Sequence, residues 1–461
     1  MLDLVERVLK YVESLTDYSE VRYENTKGNR FIIKNGILEA TDISKTFGTS
    51  VRYLKNGFLG AVYSNNLNFA KLKGLIGKNV KKISLKQPIE FSKEKIYSDD
   101  YEVKQKIDLN NVSQEEKIKA VLEIEKALSK MKLAMRYFEL YDEFKEKIYV
   151  NSEGSKIISK VPRVSFEYVL TMLANGNSEQ RVFQYGGSGG WEVFQGWSLT
   201  EKLVKEAETL AKISKTKKLV KGKYDVILAP ELVGIASHES CGHPYEADRI
   251  LGREAAQAGK SFITKEMLGT RIGSSVVSVA DDPTLPNSYG FYLYDDEGLK
   301  AERRILMKNG MINSFLQNRE TAAELKTQSN SAARANAWYS EPIVRMANTF
   351  VMPGNYSFEE LLESIKKGVY IKTYMEWNID DKRFNQKYTG LESYLIENGK
   401  LTRLVRRPIL EITTPKFWSS IDAVGKDSGF VAGNCGKSDP MQGVPVWFGG
   451  PHIRLRNIIL G

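Results

Sequence analysis

Two of the three histidines in this 461-residue chain fall in one short stretch, His238-Glu239-Ser240-Cys241-Gly242-His243, with a carboxylate beside the first. Histidines four apart share one face of an α-helix and can grip a single zinc ion, the intervening glutamate acting as base. Here the spacing is five. On a straight helix that turns the second ring roughly 140° from the first, too wide for one tetrahedral ion. If both rings serve one ion, the backbone must leave the α-helical path, and a single π-type turn, bonded i to i+5, brings His238 and His243 back to one face. The neighbours favour it. Gly242 relaxes the backbone, while Pro244 supplies no N–H and crowds the carbonyl of Ser240.

A catalytic zinc commonly takes three protein ligands and leaves a fourth position to water. The only two cysteines, Cys241 and Cys435, are candidates for the third ligand. Cys435 is preferred as a thiolate, because the glycines around it in Gly433-Asn434-Cys435-Gly436-Lys437 let its strand approach another element closely. Cys241 lies inside the turn that must deform and reads as a small buried residue. Glu239 is the expected general base, taking a proton from a metal-bound water. Glu246 is the weaker alternative as ligand or base, and His452 is the fallback ligand should Cys435 fail. Asp281-Asp282 and Asp295-Asp296 would suit a second metal or an acid/base pair, but each adjoins Pro or Gly, and the turn reading is preferred.

These residues resemble the TldD/PmbA family, specifically the TldD-type zinc metalloproteases that keep their metal-binding residues. His238-Glu239, three residues and His243 are similar to that branch's His-Glu-x-x-x-His signature. Cys435-Gly436-Lys437, followed by Gln442-Gly443-Val444-Pro445-Val446, resembles its C-terminal ligand segment. Gly186 to Glu192, Asp281 to Pro286, Asp295 to Gly298 and Asn348-Thr349 are further similar stretches, so the resemblance covers most of the chain. It implies a Zn²⁺-dependent peptidase acting on unfolded or extended peptides. It also implies a dimer enclosing the site, either a homodimer or a heterodimer with a paralogous subunit. Tyr370 to Tyr388 departs from the pattern, being polar and charged where the family segment is more Gly-rich. The alternative function is a catalytically silent, peptide-holding subunit of such a complex.

At this length one core stops growing, so two or three domains are expected. A formal charge of +10 admits a nucleic-acid partner, but the charge is scattered among acids. The densest run, Lys202 to Lys223, reads as a solvated helix end and linker, and nucleic acid is not an expected partner. Two cysteines make no disulfide framework. The N-terminus lacks a signal-peptide pattern, and no stretch approaches the ~20 apolar residues of a membrane span. A soluble, cytoplasmic protein is expected.

Along the chain the pattern predicts an α+β fold in two lobes, 1–215 and 220–461, the first with a possible split near residue 100. Leu4 to Leu15 has helical spacing, and short strands follow from Val21 to Tyr63, with Asn35-Gly36 and Asn56-Gly57 as hairpin turns. A capping box at Ser113 and Glu116 opens a second helix, and strands are expected at Lys132 to Tyr141, Lys147 to Asn151, Ser155 to Val161, Arg163 to Ala174 and Glu179 to Tyr185, broken at Pro162 and turning at Asn175-Gly176. Gly186 to Gly190 lacks the pattern of a phosphate loop and reads as a bend approached by another backbone, such as that of a substrate. In the second lobe an apolar strand, Tyr224 to Leu228, precedes a helix that starts at Pro230 and carries the metal motif to about Ile250. Strands are expected at Ser275 to Val279, Tyr289 to Tyr294, Arg303 to Met307 and Met311 to Phe315, with Asn309-Gly310 as a tight turn, and at Ser393 to Ile396 and Leu401 to Arg406 on either side of the Asn398-Gly399 turn. A sheet-rich lobe of this kind can accept an extended peptide along a strand edge.

Overall fold

Four Asn-Gly pairs close the hairpins from which the sheets are built. Asn35-Gly36, Asn56-Gly57, Asn309-Gly310 and Asn398-Gly399 have positive φ at both residues, as a type I′ turn requires. The flanking residues pair directly: Lys34 with Ile37, Lys55 with Phe58, Lys308 with Met311 and Glu397 with Lys400. The structure is a computed structural model and describes residues 1–80, 88–174, 176–254, 260–437 and 441–461. Asn175 of the expected Asn175-Gly176 turn lies outside the described residues.

The first lobe is one seven-stranded sheet with helices on it. Its strands are β1 (Tyr18–Lys34), β2 (Ile37–Lys55), β3 (Phe58–Ser64), β4 (Ser98–Glu102), β5 (Met135–Asn151), β6 (Lys156–Ala174) and β7 (Asn177–Ser188). The order is β3-β2-β1-β5-β6, and β6 then pairs with β4 at one end and β7 at the other. The short strands read from the sequence are therefore pieces of much longer ones. Pro162 shows why the reading broke. A proline lacks the N–H a central strand needs, yet it falls in the gap where the partner of β6 changes from β4, ending at Lys160, to β7, beginning at Arg163.

One face of this sheet is apolar. Val21, Tyr23, Ile148 and Val150 pack under helices α1 (Leu2–Glu13) and α2 (Phe69–Asn79). Phe31, Ile33, Phe138 and Leu140 pack under α3 (Gln114–Leu128) and, past the short α4 (Trp191–Gly196), α5 (Leu199–Ile213). Only half of the capping box is made, Ser113 accepting from Glu116 N–H. The opposite face is charged and meets the second lobe. Arg52 bridges Glu20 at 2.7 Å and Glu297 at 2.6 Å, Lys147 meets Asp296 at 2.7 Å, and Arg22 donates to the carbonyls of Ala337 and Ser340.

The second lobe supplies β8 (Gly222–Leu228), β9 (Val279–Asp281), β10 (Arg304–Lys308), β11 (Met311–Ile312), β12 (Ala333–Arg334) and β13 (Ile343–Val344). These are followed by β14 (Asn348–Val351), β15 (Lys367–Ile371), β16 (Tyr374–Ile379), β17 (Asn385–Gly390), β18 (Ser393–Glu397) and β19 (Lys400–Leu404). The last are β20 (Ile409–Thr413), β21 (Ile421–Val424), β22 (Gly429–Lys437), β23 (Gln442–Gly450) and β24 (Ile453–Leu460). A nine-stranded sheet runs β16-β17-β20-β24-β8-β15-β18-β19 with β21 beside β24, and a six-stranded sheet runs β11-β10-β9-β14-β23-β22. The protein is thus α+β in two lobes, as expected. Tyr289 to Tyr294 is not a strand, because the Arg163 guanidinium of the first lobe takes the carbonyls of Tyr289 and Phe291. The strands expected at Ser275 to Val279 and Met311 to Phe315 shrink to Val279–Asp281 and Met311–Ile312.

From β8 the chain turns at Ala229 into α6 (Pro230–Ser237), with Pro230 at the first helical position, where its missing N–H costs nothing. Helix α6 lies on the six-stranded sheet. Gly234 meets the backbone of Gly449, and Ser237 Oγ donates to the carbonyls of Gly234 and Thr349. Among the described residues, no helix is long and apolar enough to cross a membrane. A Cβ on Gly234 would sit 2.7 Å from Gly449 N and 2.8 Å from Phe448 C. Gly234→Ala is therefore expected to lower stability by about 1–3 kcal/mol, read as a lower thermal-unfolding midpoint; an unchanged midpoint would contradict this close packing.

Candidate metal centre

The expected π turn is present. Helix α6 ends at Ser237, His238–Gly242 is π-helical, and His243 N–H donates to His238 O, five residues back. Two local features work against the α pattern here, and a glycine makes room for the packing around it. Pro244 has no N–H to offer Ser240 O. Ser240 Oγ takes the Ala236 carbonyl at 2.6 Å, a back-bond that bends helices. Gly242 has a helical φ of −59°, so its role is not conformational freedom. A Cβ there would lie 1.9 Å from Met346 Sδ. The motif helix does not continue to Ile250 unbroken. His243–Tyr245 is a single 3₁₀ turn, Glu246 is extended, and α7 (Ala247–Ile250) starts afresh.

The turn sets the two imidazoles edge to face, with centroids 4.8 Å apart and planes at 83°. Cys435 reaches them from β22, its Sγ 3.4 Å from His243 Nε2. One donor atom from each of His238, His243 and Cys435 lies within 4.8 Å of the others, and all three residues are buried. Ligands on a tetrahedral zinc with Zn–S of ~2.3 Å and Zn–N of ~2.0 Å stand about 3.5 Å apart, close to the observed sulfur–nitrogen distance. His238 adds a second feature. Its Nδ1 is buried and makes no hydrogen bond among the described residues, a loss that proteins ordinarily avoid. Two imidazoles and a thiol are a donor set that suits zinc.

The electrostatics point the same way. Burial pushes His238 down, favouring the neutral ring with a lone pair to give. Burial by itself would push the Cys435 thiol up, but His243 and the Arg345 guanidinium more than offset it and bring it down to about 7. His243 Nδ1 meets Glu246 Oε2 at 3.1 Å. Burial would raise Glu246, yet Lys437, His243 and Arg249 together hold it well below the usual carboxylate range. An ionised Glu246 accepts the Nδ1 proton and leaves the Nε2 lone pair facing Cys435. Lys437, two residues beyond Cys435, is 3.4 Å from Glu246 and 2.7 Å from both oxygens of Asp248. This tethers the cysteine's strand to the turn.

Glu239 is buried and accepts a hydrogen bond from Arg383 Nη1. With the three donors it lines a cavity of about 330 Å³. Val182, Phe183 and Gln184 of β7, Tyr374 and Trp377 of β16, and Val431 to Gly436 of β22 form its walls. The other candidates stand elsewhere. Cys241 is fully buried beside Tyr245, and burial raises its thiol strongly. His452 is held between Asp427, 2.7 Å from its Nδ1, and the Tyr370 hydroxyl, 3.0 Å from its Nε2. Asp281 ties Ala347 N–H, Thr349 and Arg304 together inside the core. Asp282 accepts from Thr284, and Asp295 from the N–H groups of Glu297 and Leu299, both turn-type patterns. Gly186 and Gly187 meet Ala432 and the Asn287 carbonyl, so the backbone approaching that glycine run belongs to this chain. Arg383 and the Glu246–Lys437 network were missed from the sequence. Glu246, three residues after His243, had a readable helical spacing; Arg383 had no local signal.

A buried imidazole, imidazole and thiol beside a carboxylate, in a two-lobed α+β protein, define the class as one built around a candidate metal centre. The chain belongs to the PmbA/TldD metallopeptidase family. Residues 19–82 match the PmbA/TldA metallopeptidase domain 1, residues 107–215 the central domain and residues 221–461 the C-terminal domain. A metalloprotease of Methanocaldococcus jannaschii is 34% identical over 98% of this chain and 99% of its own. A zinc metalloprotease TldD homolog of Saccharolobus solfataricus is 28% identical over 76% of this chain and 77% of its own. The crystal structure of TldE from Thermococcus kodakarensis shares the fold, with a TM-score of 0.73 at 16% identity over 99% of this chain and 100% of that one. If Cys435 and not Cys241 completes the site, Cys435→Ser is expected to lose most of the chelator-resistant metal, while Cys241→Ser keeps it at the wild-type level. Elemental analysis checks this, and equal metal in both variants would remove Cys435 from the ligand set.

Proposed function

We propose that this protein is a zinc-dependent peptidase that hydrolyses unfolded or extended peptides. In this reading His238, His243 and Cys435 hold the ion and Glu239 is the general base. The observation that carries it is the convergence of those three donors and Glu239 on one cavity. Zn²⁺, when bound, supplies Lewis acidity to the substrate carbonyl and lowers the pKa of water at the site to about 7. The protein's own groups do the rest. Glu246 orients His243 through Nδ1, Arg383 holds the Glu239 carboxylate, and Glu239 accepts a proton from the attacking water and returns it to the leaving amine.

The walls of the cavity support an extended substrate. β7, β16 and β22 are each the last strand on their side of a sheet. Terminal strands carry backbone groups able to add a further strand, giving affinity with little dependence on side chains. We propose further that residues 1–215 and 220–461 form separate domains, and that a homodimer, or a heterodimer with a paralogous subunit, restricts entry to unfolded chains.

Glu239→Gln is expected to keep the metal and lose about 10²–10⁴-fold in kcat on a reduced, alkylated protein substrate, followed by gel and mass spectrometry. Equal cleavage by wild type and variant would exclude Glu239 as base.

A further inference from the structure

Arg383 comes from the polar, charged segment Tyr370 to Tyr388 and lines the cavity. It lies in the tight connection between β16 and β17, in the left-handed region at φ 63°, where side chains other than glycine are uncommon and often functional. The surroundings hold it there firmly. Arg383 N–H donates to Asp380 O, and Thr414 Oγ1 donates to Arg383 O at 2.7 Å. Asp380 accepts from the N–H groups of Phe384 and Asn385, and Phe262 N–H donates to Lys382 O.

So placed, the guanidinium is under-used. Its Nη1 donates to Glu239, its Nε is buried without a partner, and Nη2 makes no hydrogen bond among the described residues. An unpartnered Nε is not peculiar to Arg383, since Arg304 and Arg345 also have one, but each of those uses both of its Nη groups. Arg319 donates to Ser92 O through two nitrogens and also pairs with Glu153, and Arg454 takes both oxygens of Asp422, the Leu361 carbonyl and Ser364. Arg383 is nine-tenths buried, permanently charged, and lines the same cavity as His238, Glu239, His243 and Cys435. A buried Nε–H with no acceptor is unfavourable unless an anionic or strongly polar oxygen arrives to fill it.

We propose that Arg383 is a catalytic residue that donates hydrogen bonds to the scissile carbonyl oxygen as that oxygen becomes anionic. This rests on the peptidase reading. The water oxygen bonds to the carbonyl carbon, the C=O π pair moves to oxygen, and Glu239 takes one water proton. When the C–N bond breaks, the oxygen's pair re-forms the carbonyl and the amine nitrogen takes the proton from Glu239, leaving an acid and an amine. Arg383 matches this sequence because its Nη1 is beside the base and its other N–H groups are unpaired. The charge it meets exists only after water has added, so it favours the transition state over bound substrate.

The test compares zinc-loaded wild type, Arg383→Met and Arg383→Lys, and Glu239→Gln with and without Arg383→Met. The probe is a phosphinic peptide, whose tetrahedral P–O⁻ mimics the oxyanion, with binding read by calorimetry alongside cleavage of the parent peptide. Arg383→Met should lower kcat by about 10²–10³-fold with KM within about threefold, and weaken phosphinate binding by a similar factor. In the Glu239→Gln background the same loss of phosphinate affinity should persist, because the contact is to the ligand and not through Glu239. Arg383→Lys keeps the charge but not the fork and should recover part of both losses; should the Met variant fail to fold, a loss of about tenfold in both readouts for Lys decides in favour. Phosphinate affinity and kcat within threefold of wild type in a folded, zinc-loaded Arg383→Met would overturn the proposal alone. So would loss of the arginine effect in the Glu239→Gln background. A wild type that neither cleaves peptide nor binds the phosphinate would overturn the peptidase reading, and this proposal with it.

Discussion

One backbone hydrogen bond, from His243 N–H to His238 O, decides what the second lobe can do. An α-helical bond pattern over the same residues would point the imidazoles apart, and the strand carrying Cys435 would then meet only one of them. The π turn closes the angle, and its local causes are a proline without a donor and a serine that competes for a carbonyl, while Gly242 leaves room for the distant Met346. The turn is held on a rigid platform, since α6 leaves a central strand of one sheet and lies against the backbone of another. A preorganised site needs such support.

Around that turn the charges form a connected structure. Glu246 is shared by His243, Arg249 and Lys437, and Lys437 is on the same strand as Cys435. The carboxylate that orients a histidine thus also anchors the strand that delivers the sulfur. A second buried network, Glu20 to Arg52 to Glu297, seats the charged face of the first-lobe sheet on the second lobe. Removing one partner from a buried network of this kind typically costs about 3–5 kcal/mol, because the other charge stays buried. The first lobe therefore does more than flank the site: its β7 forms one wall of the cavity.

Much of this was legible in the residues. The five-residue spacing, Gly242 and Pro244 led to the π turn, and the four Asn-Gly pairs led to their hairpins, because both effects are decided by neighbouring backbone groups. Where the outcome depended on distant partners the reading failed. Pro162 broke a strand on paper that the structure continues, since the change of neighbour from β4 to β7 cannot be seen locally. Tyr289 to Tyr294 looked like a strand until the Arg163 side chain claimed its carbonyls. Gly242 was read as a source of backbone freedom, and it is in fact a packing contact with Met346, a residue over a hundred positions away. Cys435 was placed in the site from its glycine-flanked setting, while Arg383 stayed hidden in a hairpin connection with no motif of its own.

The central claim is that His238, His243 and Cys435 share one ion. X-ray absorption at the zinc edge of the purified, metal-loaded protein addresses it most directly. The account predicts one sulfur at about 2.3 Å and two imidazole nitrogens at about 2.0–2.1 Å, with a remaining light-atom position. A shell of nitrogen and oxygen alone, with no sulfur scatterer, would contradict it.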